Sequence, residues 1–155
     1  MIMSYSDAGL AKTKEFEGLR LTAYQDIGGV WTIGYGHTGK VTRGMTITEE
    51  EATELLRKDV QWAVDCVNRV TKDVLLNQNQ FDALVDFTFN VGCGAFGKST
   101  LVKKLNEGDF PGAAEQFTRW TKVQGREVAG LLRRRKADQE LFNTPVKGIE
   151  ASDAN

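Results

Sequence analysis

Apolar residues recur at helical spacing along most of this chain and at strand spacing only in one short stretch near the N-terminus, a pattern that predicts a mostly helical α+β protein. Ser6 to Glu17 reads as a helix with Ser6 as N-cap and Gly18 just past its end. Leu19 to Tyr24 and Val30 to Tyr35 read as two short strands, separated by the turn residues Gln25, Asp26, Ile27, Gly28 and Gly29. Thr38, Gly39 and Lys40 read as a further turn. Thr48 and Glu51 have the spacing of a capping box. The helix they open carries Ala52, Leu55, Leu56, Val60, Ala63, Val64, Val67 and Val70 on one side and runs to about Thr71. At a helical rise it would span roughly 35 Å, long enough to link two lobes.

Beyond it, Asn77 to Val91 reads as a buried helix with a stripe of Phe81, Leu84, Val85, Thr88 and Phe89, broken by Gly92, Gly94 and Gly97. Ser99 is placed to cap a helix from Thr100 to Asn106. Pro111 suits the first turn of a helix reaching Trp120, with Ala113, Ala114, Phe117 and Trp120 inward. Gln124 to Gly130 reads as a polar loop. A last helix closes at Leu141 and Phe142 and is stopped by Asn143-Thr144-Pro145, with a flexible tail over 146–155.

Composition narrows the class without naming a function. With 41% apolar and 26% charged residues the chain is an ordinary globular one, and its 155 residues suffice for one domain with a sizeable core. A net charge of −1 supplies no broad pull toward nucleic acid or anionic lipid. The two cysteines, Cys66 and Cys93, cannot make a disulfide-dense scaffold and are expected as free thiols in a helical core. Met1 to Lys14 holds no apolar run of signal-peptide or anchor length, so accumulation in the cytoplasm is expected.

The chemistry-bearing stretch is Glu15 to His37. Glu17 falls seven positions after Leu10, within about 20° of it around the helix, so it projects from an apolar side. A carboxyl against an apolar wall favours its protonated form, which suits a general acid. Asp26, in a solvated turn, suits a carboxylate kept ionised. Taken singly, each has a plainer reading: a Glu in a last helical turn is ordinarily a surface acid, and an Asp before Gly-Gly ordinarily a turn former. Thr32 is ordinarily a strand former, and the lone His37 among glycines is ordinarily structural and a poor basis for a metal site.

Their joint spacing changes that. Glu17-Gly18, Asp26, Thr32 and Gly34-x-Gly36-His37 resemble the catalytic signature of the phage-type lysozymes, the endolysins of glycoside hydrolase family twenty-four. The blocks NQNQFDALVDFTFNVGCGAF, STLVKKLNEGDF, AAEQFTRW and GLLRRRKADQELF extend the resemblance over about Leu10 to Phe142. It implies a lysozyme-like fold: a small β-containing lobe over about 15–47, a connecting helix over 48–71, and a larger helical lobe from 72–145 plus the N-terminal helix. Residues 1–145 would form one domain. It implies hydrolysis of the β-1,4 bond between N-acetylmuramic acid and N-acetylglucosamine in peptidoglycan. Glu17 would be the acid, Asp26 would act from the opposite side of the sugar, and Thr32 would help hold a water, with inversion and no cofactor. The partners implied are glycan strands and a membrane pore protein that releases a monomeric enzyme toward the cell wall. By the same resemblance Phe89 and Ser99 are expected to contact saccharide. His37, Gly34 and Gly36 are expected to shape the strand and turn, and no metal is expected.

The run Arg133-Arg134-Arg135-Lys136 is ordinarily a solvated helix face. Four consecutive residues fan over a full turn, so they cannot share one patch, and at least one can point inward. The resemblance assigns Arg134 to Glu17 as its ion-pair partner. Three rival readings remain: a wall-binding module without catalysis, membrane disturbance by the arginine-rich segment, and nucleic-acid binding through Arg126 to Lys136. The last two are weakened by the low net charge and the lack of interleaved aromatics.

Overall fold

A computed structural model describes residues 2–123 and 125–146. Met1, Gln124 and residues 147–155 lie outside the described residues, and with them the expected tail beyond Val146. The chain divides into two compact units: Leu10 to Trp62, and the residues up to Gly9 together with those from Ala63 onward. Helix α1 (Asp7–Glu17) and helix α2 (Glu49–Val70) each run through a boundary between them.

The unit from Leu10 to Trp62 is built on a small antiparallel sheet. Strand β1 (Arg20–Gln25) pairs with β2 (Trp31–Gly34), and β2 pairs with β3 (His37–Thr38). Thr38, expected in a turn, therefore belongs to a strand, and the turn before it is Tyr35-Gly36. The β1–β2 register shifts between Arg20 and Tyr24. That irregularity frees the middle of β1 to bond elsewhere: the Ala23 amide donates to Met45 O at 2.8 Å, and the Ile47 amide donates to Leu21 O at 2.9 Å. The capping box at the start of α2 forms as the spacing predicts. The Thr48 amide donates to Glu51 Oε1 at 3.0 Å, and the Glu51 amide donates to Thr48 Oγ1 at 3.1 Å. Helix α2 rests on β2 at Gly34, where a β-carbon would stand 3.3 Å from Ala52 Cβ, so the missing side chain is what allows the approach.

The second unit is helical. Helix α3 (Gln78–Val91) begins at Asn77 with a capping box to Gln80, and is followed by the short α4 (Cys93–Gly97), where the glycines had predicted only a break. Ser99 caps α5 (Thr100–Asn106) through its Oγ, which accepts from the Val102 amide at 3.1 Å. Helix α6 (Phe110–Gln116) ends earlier than expected. Phe117–Arg119 tightens into a 3-10 turn and Trp120 leaves the helix. A two-stranded ribbon overlaps the expected polar loop: β4 (Lys122–Val123) lies just ahead of it and pairs with β5 (Arg126–Glu127) inside it, and α7 (Ala129–Asn143) starts before the loop was expected to end. Phe87 is the centre of the core: its ring meets Phe117 at 5.3 Å, Trp120 at 5.5 Å and Phe96 at 6.3 Å, all edge to face. The predicted stripe on α3 named Phe89 instead. Helix α3 is buried on every side from Phe81 to Thr88, so a one-sided stripe does not describe it, and Phe89, just past that stretch, is only half-buried.

The expectation of free thiols is wrong. Cys66 on α2 and Cys93 at the start of α4 are joined by a disulfide, with Cα atoms 6.0 Å apart. Both positions belong to helical segments, and sequence spacing says nothing of how near two such segments come. Gly92 turns the chain between α3 and α4 and so sets where Cys93 lies.

Candidate active site

Glu17, Asp26, Thr32 and His37 all belong to the unit from Leu10 to Trp62. Glu17 is the last residue of α1, half-buried, and the turn after it closes with the Gly18 amide donating to Lys14 O at 3.0 Å. At the start of the helix the Ser6 hydroxyl accepts from the Gly9 amide at 3.0 Å, which makes Ser6 the N-cap that the sequence predicts. Gly36 lies beside the Glu17 carboxyl: a β-carbon there would stand 3.4 Å from Oε1. With φ at +87°, Gly36 holds a backbone conformation that side chains disfavour. Tyr35, in the same turn, carries the Lys14 ammonium over its ring at 5.6 Å from the centroid.

Asp26 sits exposed at the start of the β1–β2 turn. Its Oδ1 accepts from the Val30 amide at 2.9 Å, while its own amide donates to Val30 O at 2.9 Å and its carbonyl accepts from the Gly29 amide at 2.9 Å. Thr32 is buried at 4% exposure, and its hydroxyl donates to the same Val30 carbonyl at 2.9 Å. The Thr32 proton is therefore spent on the backbone, and its lone pairs remain to accept from another donor.

His37 has a partner that the sequence did not reveal. Its Nδ1 lies 2.7 Å from Asp59 Oδ2, on α2. The pair ties β3 to the helix. The two residues are 22 positions apart, and nothing in the local pattern of α2 marks Asp59 out.

Arg134, Phe89 and Ser99 belong to the helical unit. Arg134 is buried at 5% exposure and grips Asp86 with two donors, Nε to Oδ2 at 3.0 Å and Nη2 to Oδ1 at 2.8 Å. Its neighbour Arg135 is fully buried. It donates to Trp120 O at 3.1 Å, to Asp138 Oδ2 at 3.1 Å and to Asn90 Oδ1, with its guanidinium 5.0 Å from the Phe87 ring centroid. Burial and the neighbouring Asp86 carboxylate hold Asp138 well above the usual carboxylate range, with the two arginines opposing. Of the basic run only Arg133 and Lys136 are exposed, so the run is neither a solvated face nor a single patch. One signal for this network was in the sequence: Asp86 stands within the apolar run Phe81 to Phe89 and had to find a buried partner. Ser99 is buried, and its hydroxyl both caps α5 and donates to Phe96 O at 2.6 Å.

The phage lysozyme family model matches residues 14–138. The endolysin of Acyrthosiphon pisum secondary endosymbiont phage 1 is 45% identical over 146 residues, covering 92% of this chain and 99% of that one. The endolysin of Salmonella phage P22 is 44% identical, covering 91% of this chain and 99% of its own length. Among solved structures, a P22 lysozyme mutant superposes with a TM-score of 0.86 at 43% identity, covering 92% of this chain and 99% of that one. The muramidase domain of SpmX from Asticaccaulis excentricus superposes with a TM-score of 0.84 at 44% identity, with the same shares covered. The match to the family over most of the chain, with relatives of this identity and coverage, places the protein in the phage lysozyme family.

Proposed function

We propose that this chain is an endolysin. It cuts the β-1,4 bond between N-acetylmuramic acid and N-acetylglucosamine in peptidoglycan, with Glu17 as general acid and Asp26 as general base. The observation that carries the reading is the pairing of Asp26 and Thr32 on Val30, in the same unit as Glu17. Because the Thr32 hydroxyl gives its proton to Val30 O, it can only accept from a bound water. A water that gives one proton to Thr32 and the other to Asp26 keeps a lone pair free to attack the anomeric carbon. Such a water requires two carboxyls roughly 6.5–9.5 Å apart and yields inversion. Glu17 protonates the leaving oxygen from the other side. No metal or organic cofactor enters the reaction.

The similar proteins are named endolysins, muramidase and, at 41% identity over 81% of this chain, the SAR-endolysin of Bacteriophage PS119. Those names support a role in host-cell lysis, and in the reading proposed the enzyme, a monomer, leaves the cytoplasm through a membrane pore protein and reaches the wall. The test is Glu17→Gln on chloroform-treated Gram-negative cells, followed with proton NMR of the wild-type products. The variant should lose lysis with its thermal midpoint kept, and the wild type should release the α-anomer first. A fully lytic Glu17→Gln protein removes the acid, and β-anomer appearing first means retention and a different role for Asp26.

A further inference from the structure

The Cys66–Cys93 disulfide is unequal at its two ends. Cys66, on α2, is 1% exposed, so its side chain is covered in the folded unit. Cys93 is only half-buried. Arg69, one turn along α2 from Cys66, donates Nη2 to Cys93 Sγ at 3.1 Å. A guanidinium at that distance stabilises negative charge on sulfur, so in the reduced protein Cys93 is the thiol readier to become a thiolate. Access and charge therefore select the same sulfur.

We propose that Cys93 is a thiol–disulfide exchange site, through which a dithiol–disulfide oxidant closes the bond to Cys66 after the protein has folded. The Cys93 thiolate attacks one sulfur of the oxidant's disulfide, forming a mixed disulfide and expelling the other sulfur as a thiolate. Cys66, having lost its proton to solvent, then attacks Cys93 Sγ. The Cys66–Cys93 bond forms and the oxidant's second sulfur leaves. Two protein thiols are oxidised, one disulfide of the oxidant is reduced, and two protons are released. The bond then ties α2 to the corner between α3 and α4, closing a loop of sequence separation 27 that holds all of α3. The chain can thus fold with both thiols reduced and gain this restraint only on meeting an oxidising environment.

The experiment uses the reduced, folded protein with oxidised glutathione as the probe, read by mass spectrometry. Cys66→Ala should accumulate a glutathione adduct at Cys93. Cys93→Ala should form its adduct at Cys66 about ten-fold more slowly or worse, because that sulfur is covered. Arg69→Gln in the Cys66→Ala background should slow adduct formation about three-fold, the gain in thiolate being partly offset by lower nucleophilicity. The oxidised wild type should melt about 10 °C above the reduced form. Should either single-cysteine variant fail to fold, iodoacetamide pulse-labelling of the reduced wild type followed by peptide mapping gives the same answer, with Cys93 labelled first. Equal rates at the two cysteines, Cys66 reacting first, or a wild type that keeps two free thiols after exposure to the oxidant each overturn the proposal.

Discussion

Asp26 and Thr32 are fastened to one residue, Val30: the carboxylate of Asp26 accepts from its amide and the hydroxyl of Thr32 donates to its carbonyl, each at 2.9 Å. Both side chains are thus held by the backbone of the residue just before β2. Thr32→Val keeps the shape and removes the acceptor for water. Lysis should fall roughly a hundred-fold with binding of glycan retained, in the range for a lost contributor to base catalysis. Thr32→Ser should keep most of the rate. A valine variant as active as the wild type would remove Thr32 from the reaction.

Gly36 gives a second test. Alanine there would meet Glu17 Oε1 at 3.4 Å, an ordinary contact, so the cost lies in the backbone at φ +87°. We expect Gly36→Ala to lose about 1–2 kcal/mol of stability in denaturant titration. The turn beside Glu17 must shift to relieve the strain, so kcat should drop while KM holds. An unchanged kcat would show that Glu17 does not depend on this turn.

Asp138 sets a pH dependence. Its folded value is raised above the ordinary 3.8 by burial first and by Asp86 next. Above pH about 4 the unfolded chain has given up a proton that the folded protein still holds. The contribution is therefore full below that pH and is lost as pH rises through the folded value. Asp138→Asn, which carries no such proton, should show a smaller decline in melting temperature from pH 4 toward alkaline pH than the wild type does. Parallel curves for the two proteins would show that Asp138 ionises normally.

Thr88 offers a gain. Its Oγ1 is the one buried side-chain oxygen or nitrogen without a hydrogen-bond partner among the described residues. Valine has the same shape and no unpaired hydroxyl, so Thr88→Val should raise stability by about 1 kcal/mol, read from the denaturant midpoint. A destabilised variant would mean that the hydroxyl is satisfied by water in solution.

Local rules written in neighbouring residues were legible from the sequence. The Ser6 and Ser99 caps, the Thr48–Glu51 box, the stop after Asn143 and the β1–β2 turn depend on contacts a few residues long, and residue type and spacing decide such contacts. The mostly helical α+β class followed from the hydrophobic period, and the family from the resemblance carried by the Glu17 to His37 motif and the later blocks. Where the unit boundaries fall inside α1 and α2, after Gly9 and after Trp62, was not readable, since each helix is continuous in its local pattern.

What only the tertiary structure decided are the pairings between distant segments: His37 with Asp59, Arg134 with Asp86, and Cys66 with Cys93. The disulfide shows why. Each cysteine alone reads as a small buried apolar residue, and whether two of them meet depends on how α2 and the corner after α3 pack. The sequence by itself determined which stretches coil and which turn, because those depend on short-range geometry. The fold alone chose the partners, because a side chain's neighbours across the core are set by packing that no local spacing encodes.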